Sequence, residues 1–127
     1  MISALFNQPN YQAAQKLLDG TVLRHEAIAS NLANLETPHY KRLDVAPSFA
    51  AEMRQAMAAK SLDQIASAQP QLAVDATAVS SKRDGNTVQL ESELVQLNKN
   101  LLAHALETQL VSGNLLRLRL AITGRGS

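Results

Sequence analysis

The sequence contains no cysteine and no tryptophan, and only two tyrosines, two phenylalanines, five glycines and four prolines in 127 residues. Without cysteine there is no disulfide, zinc ribbon or thiol catalysis, and the redox compartment is left open. So few aromatic rings build no stacking platform for single-stranded nucleic acid. A charge excess is also missing: twelve Lys and Arg stand against eleven Asp and Glu, a formal net charge of +1. That balance gives no electrostatic reason to expect a nucleic-acid partner. No uninterrupted apolar stretch approaches the roughly 20 residues of a membrane-spanning helix. Ahead of Lys16 there is no basic region, and no apolar core of signal-peptide length follows. The expectation is a soluble chain, or one that leaves the cytoplasm by a route needing no cleaved signal.

What is present is alanine and leucine, twenty of each, in a chain 46% hydrophobic. That composition favours helices, and the length fits one small domain. Three stretches differ in pattern: 1–42, a variable, loop-rich 43–83, and 84–127. In the first, apolar and small residues recur alternately every three and four positions through Tyr11, Ala14, Leu18, Thr21, His25, Ile28, Leu32 and Leu35. The spacing predicts a helix from Asn10, its N-cap after Pro9, to Glu36, since Thr37 precedes Pro38. In the last, Leu90, Leu94, Leu97, Leu101, His104, Thr108, Val111, Leu115, Leu118 and Ile122 repeat without a break. This predicts a helix of about 50 Å. Asn86 and Gln89 resemble a capping box at its start, and Gly124 and Gly126 supply its stop. The middle is expected to hold one helix, Ser48 to about Lys60, with Phe49, Met53 and Met57 on one face. Leu72–Val74 is expected to pair with Thr77–Val79, and the rest to be loop or disorder. The predicted fold class is all-α, a long antiparallel two-helix hairpin of coiled-coil type with a short, partly disordered middle segment.

Each repeat carries one His and one Thr among apolar residues. Laid antiparallel with like layers matched, His25 faces His104, Thr21 faces Thr108, Leu18 faces Val111, Ile28 faces Leu101 and Leu32 faces Leu97. The opposite side of the C-terminal helix still carries Val95, Leu102, Leu106, Leu110, Leu116 and Leu120, which is too much apolar surface for a short Ala-rich helix to cover. Those leucines are expected at an interface between subunits.

Catalytic constellations do not appear. His25-Glu26 lacks a second His four residues after the first, so a zincin pair is missing. Glu91 and Glu93 fall on different sides of a helix and make no acid–base pair; they suit the dipole of its first turn. Asp84-Gly85-Asn86 is neither a phosphate loop nor an EF-hand. The arginines Arg117, Arg119 and Arg125 suit a helix C-terminus. No enzyme activity, metal, cofactor or small-molecule substrate is expected.

The stretch Ala29-Ser30-Asn31-Leu32-Ala33-Asn34-Leu35-Glu36-Thr37-Pro38-His39-Tyr40-Lys41-Arg42 resembles the ANN-x-AN-x-x-TPGY-K/R signature of bacterial flagellar axial proteins, the rod, hook and related components. Asn31, Ala33, Asn34, Thr37, Pro38 and Tyr40 match it residue by residue. Ser30 replaces the first Asn of the signature and His39 its Gly, so a positive φ at 39 requires a non-glycine residue to tolerate it. Downstream, Asp84-Gly85-Asn86-Thr87-Val88-Gln89-Leu90-Glu91-Ser92-Glu93 resembles the DGN-x-V-x-L-x-x-E motif that opens the C-terminal helix of the same proteins. The short length, without a large inserted domain, points to a proximal rod protein of this family. The resemblance implies a non-enzymatic building block, exported without a cleaved signal by the flagellar type III apparatus into the rod that crosses the periplasm. Implied partners are further copies of itself, other rod proteins and the adapter joining rod to inner-membrane ring. Asn31 and Asn34 lie one turn apart, where their amides can bind backbone at the helix end or a neighbouring subunit. Tyr40 offers a ring to an interface, and Lys41 and Arg42 are read as solvated or paired with a neighbour's carboxylate. The competing class is a freestanding helical bundle, a regulator or chaperone that binds a partner helix in an apolar groove.

Overall fold

A computed structural model describes residues 8–80 and 82–123, with the backbone alone at 114, 117, 118 and 121–123. Four helices and one pair of short strands are described. Helix α1 spans Pro9–Ala33, β1 Leu43–Val45, α2 Pro47–Ala59, α3 Leu62–Ser67, β2 Leu72–Val74 and α4 Leu90–Thr123.

Helix α1 starts one residue before the expected cap. Pro9 occupies its first turn and Gln8 is extended at φ −69° and ψ 136°, with no side-chain cap. Proline needs no hydrogen bond at that position and disfavours helix in the residue before it. The helix ends at Ala33, short of Glu36, where the Leu35 N–H bonds to Leu32 O and the Thr37 N–H to Asn34 O, three residues back instead of four, and Asn86 takes the carbonyls of Asn34, Leu35 and Thr37. Carbonyls bound there do not continue a helical ladder. Asn86 therefore caps the end of α1, while α4 starts only at Leu90.

The middle of the chain is ordered, which corrects the expected two-helix hairpin. Helix α2 begins with Pro47 in its first turn and closes at Lys60, whose φ of 51° is left-handed. Ser61 N–H then bonds back to Ala56 O at 3.1 Å, the six-to-one closure of a Schellman turn. Ser61 also starts α3: its Oγ accepts from Gln64 N–H at 3.2 Å. Strand β2 does form at Leu72–Val74, but its antiparallel partner is Leu43–Val45 rather than Thr77–Val79. Asp75 Oδ1 accepts from both the N–H and the hydroxyl of Thr77, and this turn diverts the chain before a local hairpin can return.

These elements make the main core. Ala13 of α1 packs in one cluster with Val45, Phe49, Met53, Ala56, Ile65 and Ala68, flanked by Leu17 and Leu23. Phe49 and Met53 face inward as the spacing predicts, whereas Met57 lies at the exposed edge and Ala56 takes the inward position. Gly20 admits the ring of Phe49 so closely that a Cβ there would lie 2.8 Å from Cε2. This cluster of buried apolar side chains thus joins α1 to the middle segment, and α4 packs along α1 as well.

Candidate functional site

The two sequence motifs fold against each other. Asn31, fully buried, donates through Nδ2 to Leu43 O at 2.8 Å and accepts at Oδ1 from Leu43 N–H at 2.9 Å, as a neighbouring strand would. The second amide hydrogen reaches Glu93 Oε2 at 3.3 Å, and Oδ1 also accepts from the Tyr40 hydroxyl at 3.2 Å. Every hydrogen-bonding position of that amide is filled. Asn34 closes its own helix by donating to Ser30 O and accepts from the Thr37 hydroxyl. The Tyr40 hydroxyl lies 2.8 Å from Ser30 Oγ. Both asparagines and the Tyr40 hydroxyl are thus engaged within the chain, not held free for a neighbour.

From the other motif, Thr87 N–H bonds to Tyr40 O and His39 N–H to Asp84 O. Thr87 Oγ1 accepts from Arg42 N–H at 2.8 Å, and Lys41 Nζ donates to Gly85 O at 3.0 Å. His39 does adopt positive φ, at 61°, and it faces Gly85, itself at φ 77°. Two left-handed residues back to back make the tight crossing, and glycine fits only one of them. Ala33 and Pro38 remain exposed.

Arg42 is the centre of this junction, which corrects its reading as a solvated or neighbour-paired charge. Its Nε donates to the fully buried Glu93, and its Nη1 to Asp44 at 3.1 Å and Asp75 at 2.8 Å. Asp44 binds Arg24 as well, at 2.9 Å. Burial lowers the Arg42 pKa, but the bonds to Glu93 and Asp44 outweigh it, so it stands above its ordinary value. Burial likewise pushes the Asp44 carboxyl up; Arg24, the Val45 N–H and Arg42 together hold it below the usual carboxylate range. Asp75 is lowered mainly by its bond from Thr77, against some burial.

Glu93 also sets the rotation of α4. Between Leu90 and Gly113 the covered residues of this helix are Glu93, Gln96, Leu97, Asn100, Ala103, Glu107 and Val111. Asn100 Nδ2 donates to Thr21 O at 2.8 Å, and Glu107 Oε2 accepts from the Thr21 hydroxyl at 3.0 Å. Thr21 therefore sits between Asn100 and Glu107, about one turn from the expected partner Thr108. His25 and His104 are both exposed, as are Leu101 and Thr108, so the matched polar layers do not form. Leu18 and Leu32 are half-buried, Ile28 is fully buried, and Leu97 and Val111 are half-buried at the edge of the seam. Polar anchors at 93, 100 and 107 turn the leucines of the predicted seam outward. Burial raises the Glu107 carboxyl above its ordinary value, opposed by the Thr21 bond and by the charges of His104 and Arg24.

The exposed side of α4 is accordingly broad. Leu102 and Leu106 are 69% and 64% exposed, Leu101 and Leu116 are 52% and 55%. Leu90, Leu94, Val95, Leu110 and Leu115 are exposed too, and Leu120 is half-buried. Among the described residues no three His, Cys, Asp or Glu stand close enough to hold a metal, and no helix is long and apolar enough to cross a membrane.

Arg42, Asp44, Asp75, Glu93, Asn100 and Glu107 do not emerge from apolar periodicity. One signal was available: Asn86, Glu93, Asn100 and Glu107 repeat at seven-residue intervals, a polar stripe that competes with the leucine stripe for the seam. No protein-family model matches the chain. It is similar to the flagellar basal body rod protein FlgB of Borrelia hermsii, at 28% identity over 115 residues, covering 76% of this chain and 83% of that protein.

Proposed function

We propose that the chain is a structural, non-catalytic subunit of the bacterial flagellar basal-body rod, which assembles helically through α4 and transmits torque through packed helices. The observation that carries the reading is the leucine face of α4, exposed along a helix whose rotation is fixed by buried polar anchors. A helix held that way presents its apolar side as a fixed surface, and contiguous exposed apolar area of this kind marks an interface. The similarity to a FlgB and the two interlocked motifs support the placement in the rod. The motif residues Asn31, Asn34, Tyr40 and Asn86 act within one subunit: they stiffen the junction from which α4 projects. Partners in this reading are further copies of the chain, other rod proteins, the adapter to the inner-membrane ring and the type III export apparatus.

The test is genetic. Deleting the gene in its source bacterium should abolish flagella and swimming, and the wild-type chain in trans should restore both. Normal flagella in the deletion strain would overturn the reading.

A further inference from the structure

We propose that association through the leucine face of α4 takes up a proton at Glu107, so that mild acid tightens assembly and neutral pH loosens it; the proposal rests on the reading of that face as the interface between subunits. Glu107 is half-buried where α4 packs on α1, and exposed leucines border it on both flanks. At about 100° of helix rotation per residue, Leu106 stands about 100° from it on one side and Leu115 about 80° on the other. A second copy seated on either flank narrows the opening of this carboxyl to water.

The hydrogen bonds around Glu107 suit its neutral form once that water is gone. Oε2 lies 3.0 Å from the Thr21 hydroxyl oxygen, which also lies 2.9 Å from Leu18 O. A hydroxyl has one proton, so an ionised Glu107 and the Leu18 carbonyl compete for it. Oε1 has no hydrogen-bond partner among the described residues, so its carboxylate charge relies on water. One added proton removes both conflicts. Protonated Glu107 donates to Thr21 Oγ1, Thr21 donates to Leu18 O, and Oε1 becomes a neutral carbonyl oxygen, which is cheaper to bury than a charge.

The charges that face Glu107 are Arg24 from α1 and, when protonated, His104 from α4; both favour the carboxylate. Burial outweighs them and already holds the carboxyl above its ordinary value in the single subunit. A partner on the leucine flanks adds desolvation and pushes the same way, and association that raises a pKa strengthens as pH falls. General charge acts with the opposite sign. The chain carries a formal net charge of +1 at pH 7 and grows more positive in acid, which repels one copy from another.

Sedimentation of the full-length chain at about pH 5 and about pH 7.5, at one ionic strength, tests the proposal; this range stays above the ordinary carboxylate value of about 3.9 for Asp. The wild type should associate at least about tenfold more tightly at the lower pH. Glu107→Gln, whose amide donates to Thr21 as the protonated acid does, should hold the tighter value at both. His104→Gln should keep the response of the wild type, because the proton is taken up at Glu107. Circular dichroism of each protein at both pH values shows that the fold is retained. Association indifferent to pH or weakened by acid, a response that survives in Glu107→Gln, or one that vanishes in His104→Gln would overturn the proposal and leave the interface standing. A wild type that stays monomeric at both pH values would overturn the interface and the proposal together.

Discussion

The Nε of Arg42 donates to the carboxylate of Glu93, a side chain fully shielded from solvent in the first turn of α4. This contact joins the turn after α1 to the helix that carries the exposed leucines. Glu93 also accepts from Asn31, so three residues from both sequence motifs meet at one buried carboxylate.

Removing one member of that pair should be far worse than removing both. Arg42→Ala leaves Glu93 buried without its cation, and loss of one partner of a buried pair costs about 3–5 kcal/mol. The double variant Arg42→Met with Glu93→Leu should lose markedly less than the sum of the two single changes. Urea denaturation of the four proteins measures this. Additive losses would mean that the two side chains act independently.

His39 occupies the left-handed region without glycine's freedom. His39→Gly should stabilise the chain by about 0.5–1 kcal/mol, the steric relief exceeding the extra entropy of the unfolded state. Gly85→Ala should destabilise it, because φ there is 77° and the new Cβ would lie 3.1 Å from His39 Nδ1. Thermal midpoints read both effects; a lower midpoint for His39→Gly would contradict the assigned strain.

Acid and base should act on different sites with opposite sign. Asp44 and Asp75 have folded pKa values below their ordinary one. Their contribution to stability is present above the unfolded value of about 3.9 and is lost as pH falls through the folded value. Glu107 is raised, so its contribution is complete below about pH 4.3 and is lost as pH rises through the folded value. Glu107→Gln should therefore match or exceed the wild type near neutral pH and forfeit that advantage in acid. Asp44→Asn should lose stability at neutral pH and flatten the acid limb. Urea midpoints at several pH values separate the two.

The two seams test how α4 is rotated. If its leucines faced α1, Leu101→Glu would damage the helical pair. In the observed rotation Leu101 is half exposed and Asn100 is buried. Leu101→Glu should leave the urea midpoint within about 0.5 kcal/mol of wild type, whereas Asn100→Leu removes the donor to Thr21 O and should shift it more. The reverse order would restore the leucine seam.

Much of the helical framework was legible in the sequence. Proline at position 9, the Thr37-Pro38 break and the glycine turn at 85 bound α1 and α4 to within a few residues, because backbone restrictions act locally. The rotation of α4 was not legible from apolar periodicity. Leu90, Leu94 and Leu101 make the more regular stripe, but three polar side chains reach specific partners on or next to α1: Glu93 to Asn31 and Arg42, Asn100 to the Thr21 carbonyl, and Glu107 to the Thr21 hydroxyl. Those partners are distant in sequence, so spacing alone gives no sign of them. The middle segment was underestimated for a related reason. Phe49, Met53 and Ile65 are few, but they converge on Gly20 and Ala13 of α1, and a small core needs few large side chains when a helix approaches closely.

The central claim is that the outward leucines of α4 form the surface on which subunits assemble. Sedimentation of the full-length chain with and without Leu106→Glu, across rising concentration and beside circular dichroism of each, tests it most directly. Equal helicity is expected in both proteins, with concentration-dependent association in the wild type and a monomer for Leu106→Glu at every concentration. Association of the variant equal to that of the wild type would contradict it.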